Sequence, residues 1–179
     1  MSNFIQPPHK NWSIQVKNLP DAKIRDKWLQ FNNKSPYILV KIGMTTRFPD
    51  QRIKEWENKC NHKLINVGPR NKRFIYKQNF LERLSCLSIQ DNYERYRDDG
   101  FFVNKNLKLV ESSIHKALKD KYGKGDVYCS GCLVDKSVAP KKDSPFNTSY
   151  NVHTEWFLIL KKEIEQVYNI IDSTCVNLG

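Results

Sequence analysis

The sequence predicts one domain of mixed α and β structure, either α/β or α+β, over residues 1–179. The chain has 179 residues, of which 39% are hydrophobic and 12% aromatic, so it is able to bury one sizeable core. Segments rich in β-forming residues alternate with segments whose apolar residues recur at helical spacing. No apolar run approaches the roughly 18 residues of a membrane span, and the N-terminus lacks the apolar centre of a secretory signal. We therefore expect an intracellular protein, nuclear or cytoplasmic, with no membrane partner.

Strand and helix patterns alternate along the first half of the chain. Trp12–Lys17 alternates apolar with polar residues and predicts a strand, and 21–31 has the apolar spacing of a helix. Tyr37–Ile42 is dense in β-forming residues and predicts a buried strand. Pro49 is suited to the first position of a helix, which we expect over 49–59. A further strand is predicted over 62–67.

The second half of the chain predicts three helices and one strand. Residues 80–97 have a helical pattern of mixed charge, and 107–122 carries apolar residues at every third or fourth position. Residues 133–151 form a polar stretch with proline and serine, which predicts a long loop insertion. A strand is expected over 156–160 and a closing helix over 161–171.

The charge of the chain is strongly positive. Thirty Lys and Arg residues stand against nineteen Asp and Glu, a formal net charge of +11, which suits a polyanion such as nucleic acid or an acidic membrane surface. Residues 58–81 contain no acidic residue and interleave cations with Phe74 and Tyr76, as expected of a nucleic-acid-binding segment. A solvated basic loop is the alternative. The candidate nucleic-acid-binding residues are Lys63, Arg70, Lys72, Arg73 and Lys77.

The segment 41–52 carries the most informative motif. A predicted strand enters Gly43, followed by a Thr-rich turn and a helix opened by Pro49. Arg52 lies in the first turn of that helix and is able to point back over the strand end, near Lys41. Arginine suits a phosphate because its planar guanidinium donates paired hydrogen bonds. Arg52 is equally able to form a surface salt bridge with Glu55 or Glu57.

Three motifs in order resemble the GIY-YIG endonuclease superfamily, in its phage-type and fungal meiotically up-regulated branch. Lys-Ile-Gly-Met-Thr followed by Arg52 matches the strand–turn–helix, Val110–His115 matches the helix with the acidic residue, and His153–Phe157 matches a closing Glu-Trp-Phe strand. The resemblance covers about 37–170. It implies a small, mostly antiparallel sheet flanked by helices, with residues 1–36 as an N-terminal extension.

The resemblance also implies metal-dependent hydrolysis of phosphodiester bonds in DNA. Glu111 would bind magnesium or manganese, Arg52 would hold the scissile phosphate, and Lys41 would stand where other branches carry a tyrosine. No Gly-Ile-Tyr strand precedes the motif, and Tyr37 is a candidate for the missing hydroxyl. His115 follows Glu111 at i+4 and shares its helix face. It either flanks the metal or hydrogen-bonds within the core, and we favour the hydrogen bond within the core.

Cysteine spacing indicates a structural zinc site. An odd number of cysteines, five, argues against a secreted disulfide framework. Cys129 and Cys132 form a Cys-x-x-Cys pair whose thiolates are able to coordinate zinc. A redox pair and unliganded thiols are the alternatives. The resemblance implies Cys60 and His153 as the remaining ligands. His62, close to Cys60 in the sequence, is a substitute for the fourth ligand.

Two other functions stay open from the sequence. Because the Gly-Ile-Tyr motif is missing, a catalytically inactive DNA- or RNA-binding module stabilised by zinc is the alternative to a nuclease. The third possibility is an adaptor for protein interactions, built on a nuclease fold that has lost its catalytic activity. Glu111 has a structural alternative as well, as an ordinary exposed helix residue.

Overall fold

A computed structural model describes residues 2–4, 14–16, 29–30, 36–60, 63–75, 93–123, 125–129 and 151–179. Its elements, in chain order, are β1 (Ser2–Phe4), β2 (Ile14–Val16), β3 (Leu29–Gln30), β4 (Tyr37–Lys41), α1 (Pro49–Cys60), β5 (Leu64–Asn66), β6 (Tyr96–Arg97), β7 (Gly100–Phe101), α2 (Leu107–Tyr122), β8 (Gly125–Cys129), β9 (Asn151–Leu160) and α3 (Ile164–Leu178). Short 3₁₀ turns cover Pro69–Phe74 and Lys161–Glu163. The described strands pair antiparallel throughout, so the expected mixed fold with an antiparallel sheet is confirmed.

The main sheet runs in the order β3-β2-β8-β9-β4-β1-β5, with β4 near its centre. β4 pairs along its whole length with β9, from Tyr37 opposite Leu160 to Lys41 opposite Trp156. All five residues of β4 are buried, because helices cover both faces of the sheet. The continuous β-forming run that predicted this strand reflects that burial on two sides.

Helices α2 and α3 cover one face of the sheet. Successive residues of a strand point to opposite faces, and on this face β4 and β9 contribute Ile38, Val40, Phe157 and Ile159. The helices meet them with Val110, Ile114 and Leu118 of α2 and Ile164, Val167 and Ile171 of α3. The spacing of four residues along α2 places its three apolar residues in one stripe, as the sequence predicts.

Helix α1 covers the opposite face. Its half-buried Ile53 and Trp56 pack against a second cluster that contains Leu39 of β4 and Trp156 of β9. The sheet therefore lies between α1 on one side and the α2–α3 pair on the other. This layering brings side chains from both helical layers to the end of β4.

Two helix predictions are wrong at their C-terminal ends, where the structure has short strands instead. The predicted helix 21–31 is a strand at Leu29–Gln30, which pairs with β2; residues 21–28 lie outside the described residues. The predicted helix 80–97 ends instead in the β6–β7 hairpin, and its residues 80–92 also lie outside. Asp98 and Asp99 both have positive φ, 49° and 59°, the conformation of a tight hairpin turn.

Four further elements differ from the prediction: β9 and α3 are longer than predicted, and β1 and β8 were not predicted. β9 begins at Asn151, five residues before the predicted strand, and α3 continues to Leu178. β8 was not predicted, and it pairs with β9. The expected loop insertion 133–151 lies outside the described residues except for Asn151. No helix in the described part of the chain is both long and apolar enough to span a membrane.

Candidate functional site

The site is built on the loop that leaves β4, and α2 anchors this loop. The backbone N–H of Met44 donates to Glu111 Oε1 at 2.9 Å. His115 Nε2 lies 2.9 Å from the carbonyl oxygen of Ile42, so this nitrogen is protonated and donates. Glu111 and His115 are one turn apart on α2 and hold two points of the same loop. The core hydrogen bond that the sequence favours for His115 is present.

Lys41 brings a buried positive charge to the end of β4. Its side chain is 6% exposed, and its Nζ lies 2.5 Å from Glu155 Oε2 and 3.9 Å from the ring centroid of Trp56. Burying an ammonium group is costly unless the group is paired, and the carboxylate and the indole face together provide that pairing. The hydrogen bond from Lys41 holds the pKa of the Glu155 carboxyl below its usual value, and this effect outweighs the partial burial that would raise it.

Helix α1 and the turn before it add two guanidinium groups, Arg52 and Arg47, joined by one carboxylate. Arg52 Nη1 lies 2.9 Å from Glu55 Oε2, and Arg47 Nη2 lies 2.6 Å from Glu55 Oε1. Arg52 also lies near the face of Trp56, with its Cζ 5.5 Å from the ring centroid. Hydrogen bonds from Arg52 and then Arg47 hold the pKa of Glu55 below its usual value. The surface salt bridge of Arg52 with Glu55 is therefore the arrangement present.

Lys41 and Glu111 lie at the end of β4, and Arg52 is linked to Lys41 through the ring of Trp56, which both cations approach. Arg52 approaches from the α1 face through Trp56, while Glu111 approaches from the α2 face through the loop backbone. Tyr37 is buried at the opposite end of β4, four residues and roughly 13 Å from Lys41 at the usual rise of a strand. The structure does not bring Tyr37 to this end of the sheet.

Glu155 joins Lys41, Arg52 and Glu111 in the charged cluster near the end of β4, and the sequence analysis did not include it among the candidate site residues. The β8–β9 register places Gly125 opposite Trp156 and Val127 opposite His153. An advance of three residues along β9 therefore matches an advance of two residues along β8, which is a β-bulge. Glu155 lies within this bulge, and bulges redirect side chains. Glu155 is the first residue of the Glu-Trp-Phe motif, and this position was the sequence signal that could have identified it as a site residue.

The basic segment contributes two exposed cations outside this cluster. Lys63 precedes β5, and Arg70 lies in the 3₁₀ turn with its Cζ 5.6 Å from the ring centroid of Tyr96. Lys72 and Arg73 belong to the same turn, but their side chains are outside the described set, as is the whole of Lys77.

The expected zinc ligands are only partly described. Cys60 is the last residue of α1, Cys129 is the last residue of β8, and His153 packs edge-on against Trp56 with ring centroids 6.4 Å apart. Cys132 and His62 lie outside the described residues. Within the described part of the chain, no cluster of three or more His, Cys, Asp or Glu side chains is placed to hold a metal ion.

Comparison with known proteins identifies the family. The T5orf172 domain matches residues 28–172, most of the chain and all of the cluster around β4. The chain belongs to the T5orf172 domain family. This family is one of nuclease-like, DNA-binding domains. The chain is also 32% identical to the uncharacterized protein YPL034W of Saccharomyces cerevisiae, over 74% of this chain and 97% of the relative. No solved structure matches it.

The resemblance to the GIY-YIG superfamily is wrong as a family assignment. The matching family is the T5orf172 domain, and no GIY-YIG signature is found. The fold gives a physical reason. The two strands that directly precede β4, β2 and β3, pair with each other, and β2 also pairs with β8. The described neighbours of β4 are instead β1 and β9. The three motifs at 41–52, 110–115 and 153–157 are short local patterns, and together they do not define the superfamily.

Proposed function

We propose that this T5orf172 domain is a metal-dependent endonuclease that hydrolyses phosphodiester bonds in DNA. The observation that carries the proposal is that Glu111 accepts a hydrogen bond from the loop at the end of β4, while Lys41 at that strand end and Arg52 of α1 both lie near the ring of Trp56. Phosphodiester hydrolysis needs positive charge around the phosphate and a way to activate water. This cluster, in a family of nuclease-like domains, offers groups for both tasks.

Arg52 and Arg47 are the groups we assign to the scissile phosphate. Both guanidinium groups are partly exposed, 45% and 56% respectively, so a phosphate has access to them. Their shared partner Glu55 keeps them side by side, and a phosphate oxygen would compete with Glu55 for the same donors. Guanidinium donors would stabilise the charge that develops as water bonds to phosphorus and the P–O ester bond breaks.

Glu111 is the residue we assign to a magnesium or manganese ion. A carboxylate has two oxygens, so the hydrogen bond from Met44 to Oε1 leaves a second oxygen for a cation. Magnesium is commonly held by one or two carboxylates together with waters and substrate phosphates, which fits a site without a larger ligand cluster among the described residues. Such an ion would lower the pKa of a bound water.

Lys41 is assigned an electrostatic role beside the phosphate. Its ammonium group is fixed by Glu155 and by the face of Trp56, so it adds positive charge at a defined position. Preorganised charge of this kind stabilises a transition state without costly rearrangement.

A DNA-binding module without catalysis is the second candidate. The observation that favours it is that each charged residue of the cluster already has a partner within the protein. Arg52 pairs with Glu55, Lys41 pairs with Glu155, and Glu111 accepts a backbone hydrogen bond. Each of these contacts is also consistent with a structural role. DNA binding without cleavage is the result that would select this candidate.

Plasmid nicking tests the two candidates. Purified wild type is incubated with supercoiled plasmid and magnesium or manganese, beside Glu111→Gln and Arg52→Ala. Glu111→Gln keeps the oxygen that accepts from Met44 but removes the charge that binds a cation, so its loss of activity would not follow from an unfolded loop. Glu94→Gln is the matched control, since Glu94 is an exposed carboxylate in the β6 region.

The nuclease proposal expects nicking by wild type and by Glu94→Gln, with loss in Glu111→Gln and Arg52→Ala. Equal nicking by all four proteins would identify a contaminating nuclease. A salt-sensitive mobility shift without nicking would support the binding module.

We also propose a structural zinc ion held by Cys60, Cys129, Cys132 and His153. The support is the chemistry of the donors, thiolate and imidazole, together with the Cys-x-x-Cys spacing. Elemental analysis of the purified protein by mass spectrometry is expected to find about one zinc per chain. Zinc should fall in Cys129→Ser and Cys132→Ser and remain in Cys86→Ser, which lies outside the ligand set. Equal zinc in all three variants would contradict it.

A further inference from the structure

Phe48 is the most exposed large apolar side chain among the described residues. It is 72% exposed, compared with 51% for Leu109 and 38% for Phe102. The guanidinium of Arg97 covers the ring of Phe102, with its Cζ 3.6 Å from the ring centroid. A single exposed apolar residue is ordinary, so the position and neighbours of Phe48 decide whether it has a role.

The backbone around Phe48 is held on both sides. The N–H of Arg47 donates to Thr45 Oγ1 at 3.0 Å, and the carbonyl of Phe48 accepts from the N–H of Gln51 at 3.1 Å. Pro49 follows directly, and proline restricts the residue before it. The ring is therefore displayed to solvent from an ordered turn at the start of α1.

The turn that displays Phe48 also carries the paired guanidinium groups. Arg47 is its sequence neighbour, and Glu55 holds Arg47 beside Arg52. An exposed aromatic ring next to exposed cations is the combination that binds nucleic acid, because the cations hold phosphates while the ring stacks on a base. A neutral apolar partner would have to cover these charges and desolvate them, which is costly.

We propose that Phe48 stacks on a DNA base next to the phosphate held by Arg47 and Arg52. This inference rests on the proposed function and adds how the substrate is recognised. A base inside an intact duplex is already stacked on its neighbours, so Phe48 favours single-stranded DNA or a duplex with an unpaired base. Stacking accepts any base, so the preference is for structure and not for sequence.

Binding to labelled oligonucleotides tests the role of the ring. Fluorescence anisotropy measures the Kd of wild type, Phe48→Ala, Phe48→Leu and Phe48→Trp for a single strand, and for its perfect duplex. Removing one base–aromatic stack is expected to weaken single-strand binding about tenfold in Phe48→Ala. Phe48→Trp should bind like wild type, whereas Phe48→Leu should be weakened, since it is apolar but has no aromatic ring.

Phe102→Ala is the matched control, because it removes a partly exposed phenylalanine from another loop. It should bind single-stranded DNA like wild type. The melting temperature of every variant is measured as well, and Phe48→Ala should not lower it, since the ring is mostly in water.

The outcomes separate this inference from the proposed function. If wild type binds and nicks DNA while Phe48→Ala binds a single strand as tightly as wild type, the inference is overturned and the nuclease proposal survives. An equal loss in Phe102→Ala, or full binding by Phe48→Leu, also overturns stacking. If wild type binds no DNA at low salt, both proposals fail.

Discussion

Lys41 and Glu155 form a salt bridge across β4 and β9, with Nζ and Oε2 2.5 Å apart, although 114 residues separate them in the chain. The two partners differ in environment: the lysine is 6% exposed and the glutamate 51%. The buried partner depends on the exposed one, because an unpaired buried charge costs far more than an unpaired charge in water.

This asymmetry predicts unequal effects of removing each charge. Glu155→Gln leaves the buried ammonium without its counter-charge and is expected to lower the free energy of unfolding by about 1–3 kcal/mol. Lys41→Met keeps the apolar stem against Trp56 and should cost less, since the remaining carboxylate is half in water. Urea denaturation of both single variants and the double variant measures the coupling. Equal costs for the two single variants would contradict the asymmetry.

Acid should remove the contribution of this salt bridge. The hydrogen bond from Lys41 lowers the pKa of Glu155 below its ordinary value of 4.5, so folding is favoured when the carboxyl is ionised. That stability is fully present above the unfolded-state pKa and is lost as the pH falls through the folded-state pKa.

The pH dependence is measured as the difference in unfolding free energy between wild type and Glu155→Gln. We expect a constant difference from neutral pH down to about pH 5, and a shrinking one below about pH 4.5. Glu94→Gln, an exposed carboxylate elsewhere, is the control and should leave the profile close to that of wild type. A difference that grows on acidification would contradict this sign.

Local patterns predict the elements that frame the site. Tyr37–Lys41 is a run of β-forming residues, Pro49 opens α1, and α2 has an apolar stripe, so each signal lies within one segment. The β6–β7 hairpin was missed because the surrounding residues also fit a helix. Its two turn residues are Asp98 and Asp99, which is not the Asn-Gly or Asp-Gly pair that most clearly indicates a hairpin.

The partners of the charged residues could not be read from such patterns. The pairing of Lys41 with Glu155 depends on the register of β4 against β9 and on the bulge before Trp156. Both are long-range features that a strand pattern does not encode. The pairing of Arg52 with Glu55 was foreseen as an alternative, since residues three apart on a helix are neighbours.

Gly68 is required by the close approach of Tyr96. A Cβ at this position would lie 2.2 Å from Tyr96 Oη and 2.9 Å from its Cζ, and Tyr96 is buried against Phe101 with ring centroids 5.1 Å apart. Gly68→Ala is therefore expected to destabilise the fold by about 1–3 kcal/mol, measured by urea denaturation. Tyr96→Phe should relieve part of this cost, because it removes the closest atom.

Gly43→Ala is the matched control for Gly68→Ala. The nearest atom to a Cβ at Gly43 is Glu111 Oε1, at 4.0 Å, which is ordinary contact. Its unfolding free energy should stay close to that of wild type. If both alanine variants lose the same stability, the contact with Tyr96 is not the cause.

Glu55 should restrain DNA binding by competing with phosphate for Arg47 and Arg52. Glu55→Gln removes the negative charge shared by the two guanidinium groups, and exposed ion pairs of this kind are weak. Affinity for a short DNA duplex should therefore rise by a modest factor, about two- to fivefold at low salt. The dependence of binding on salt should steepen, since more phosphate charge is neutralised. Fluorescence anisotropy over a salt series measures both effects, with Glu94→Gln as a control of equal charge change. Weaker binding by Glu55→Gln than by Glu94→Gln would show that Glu55 positions the guanidinium groups for DNA and does not compete with it.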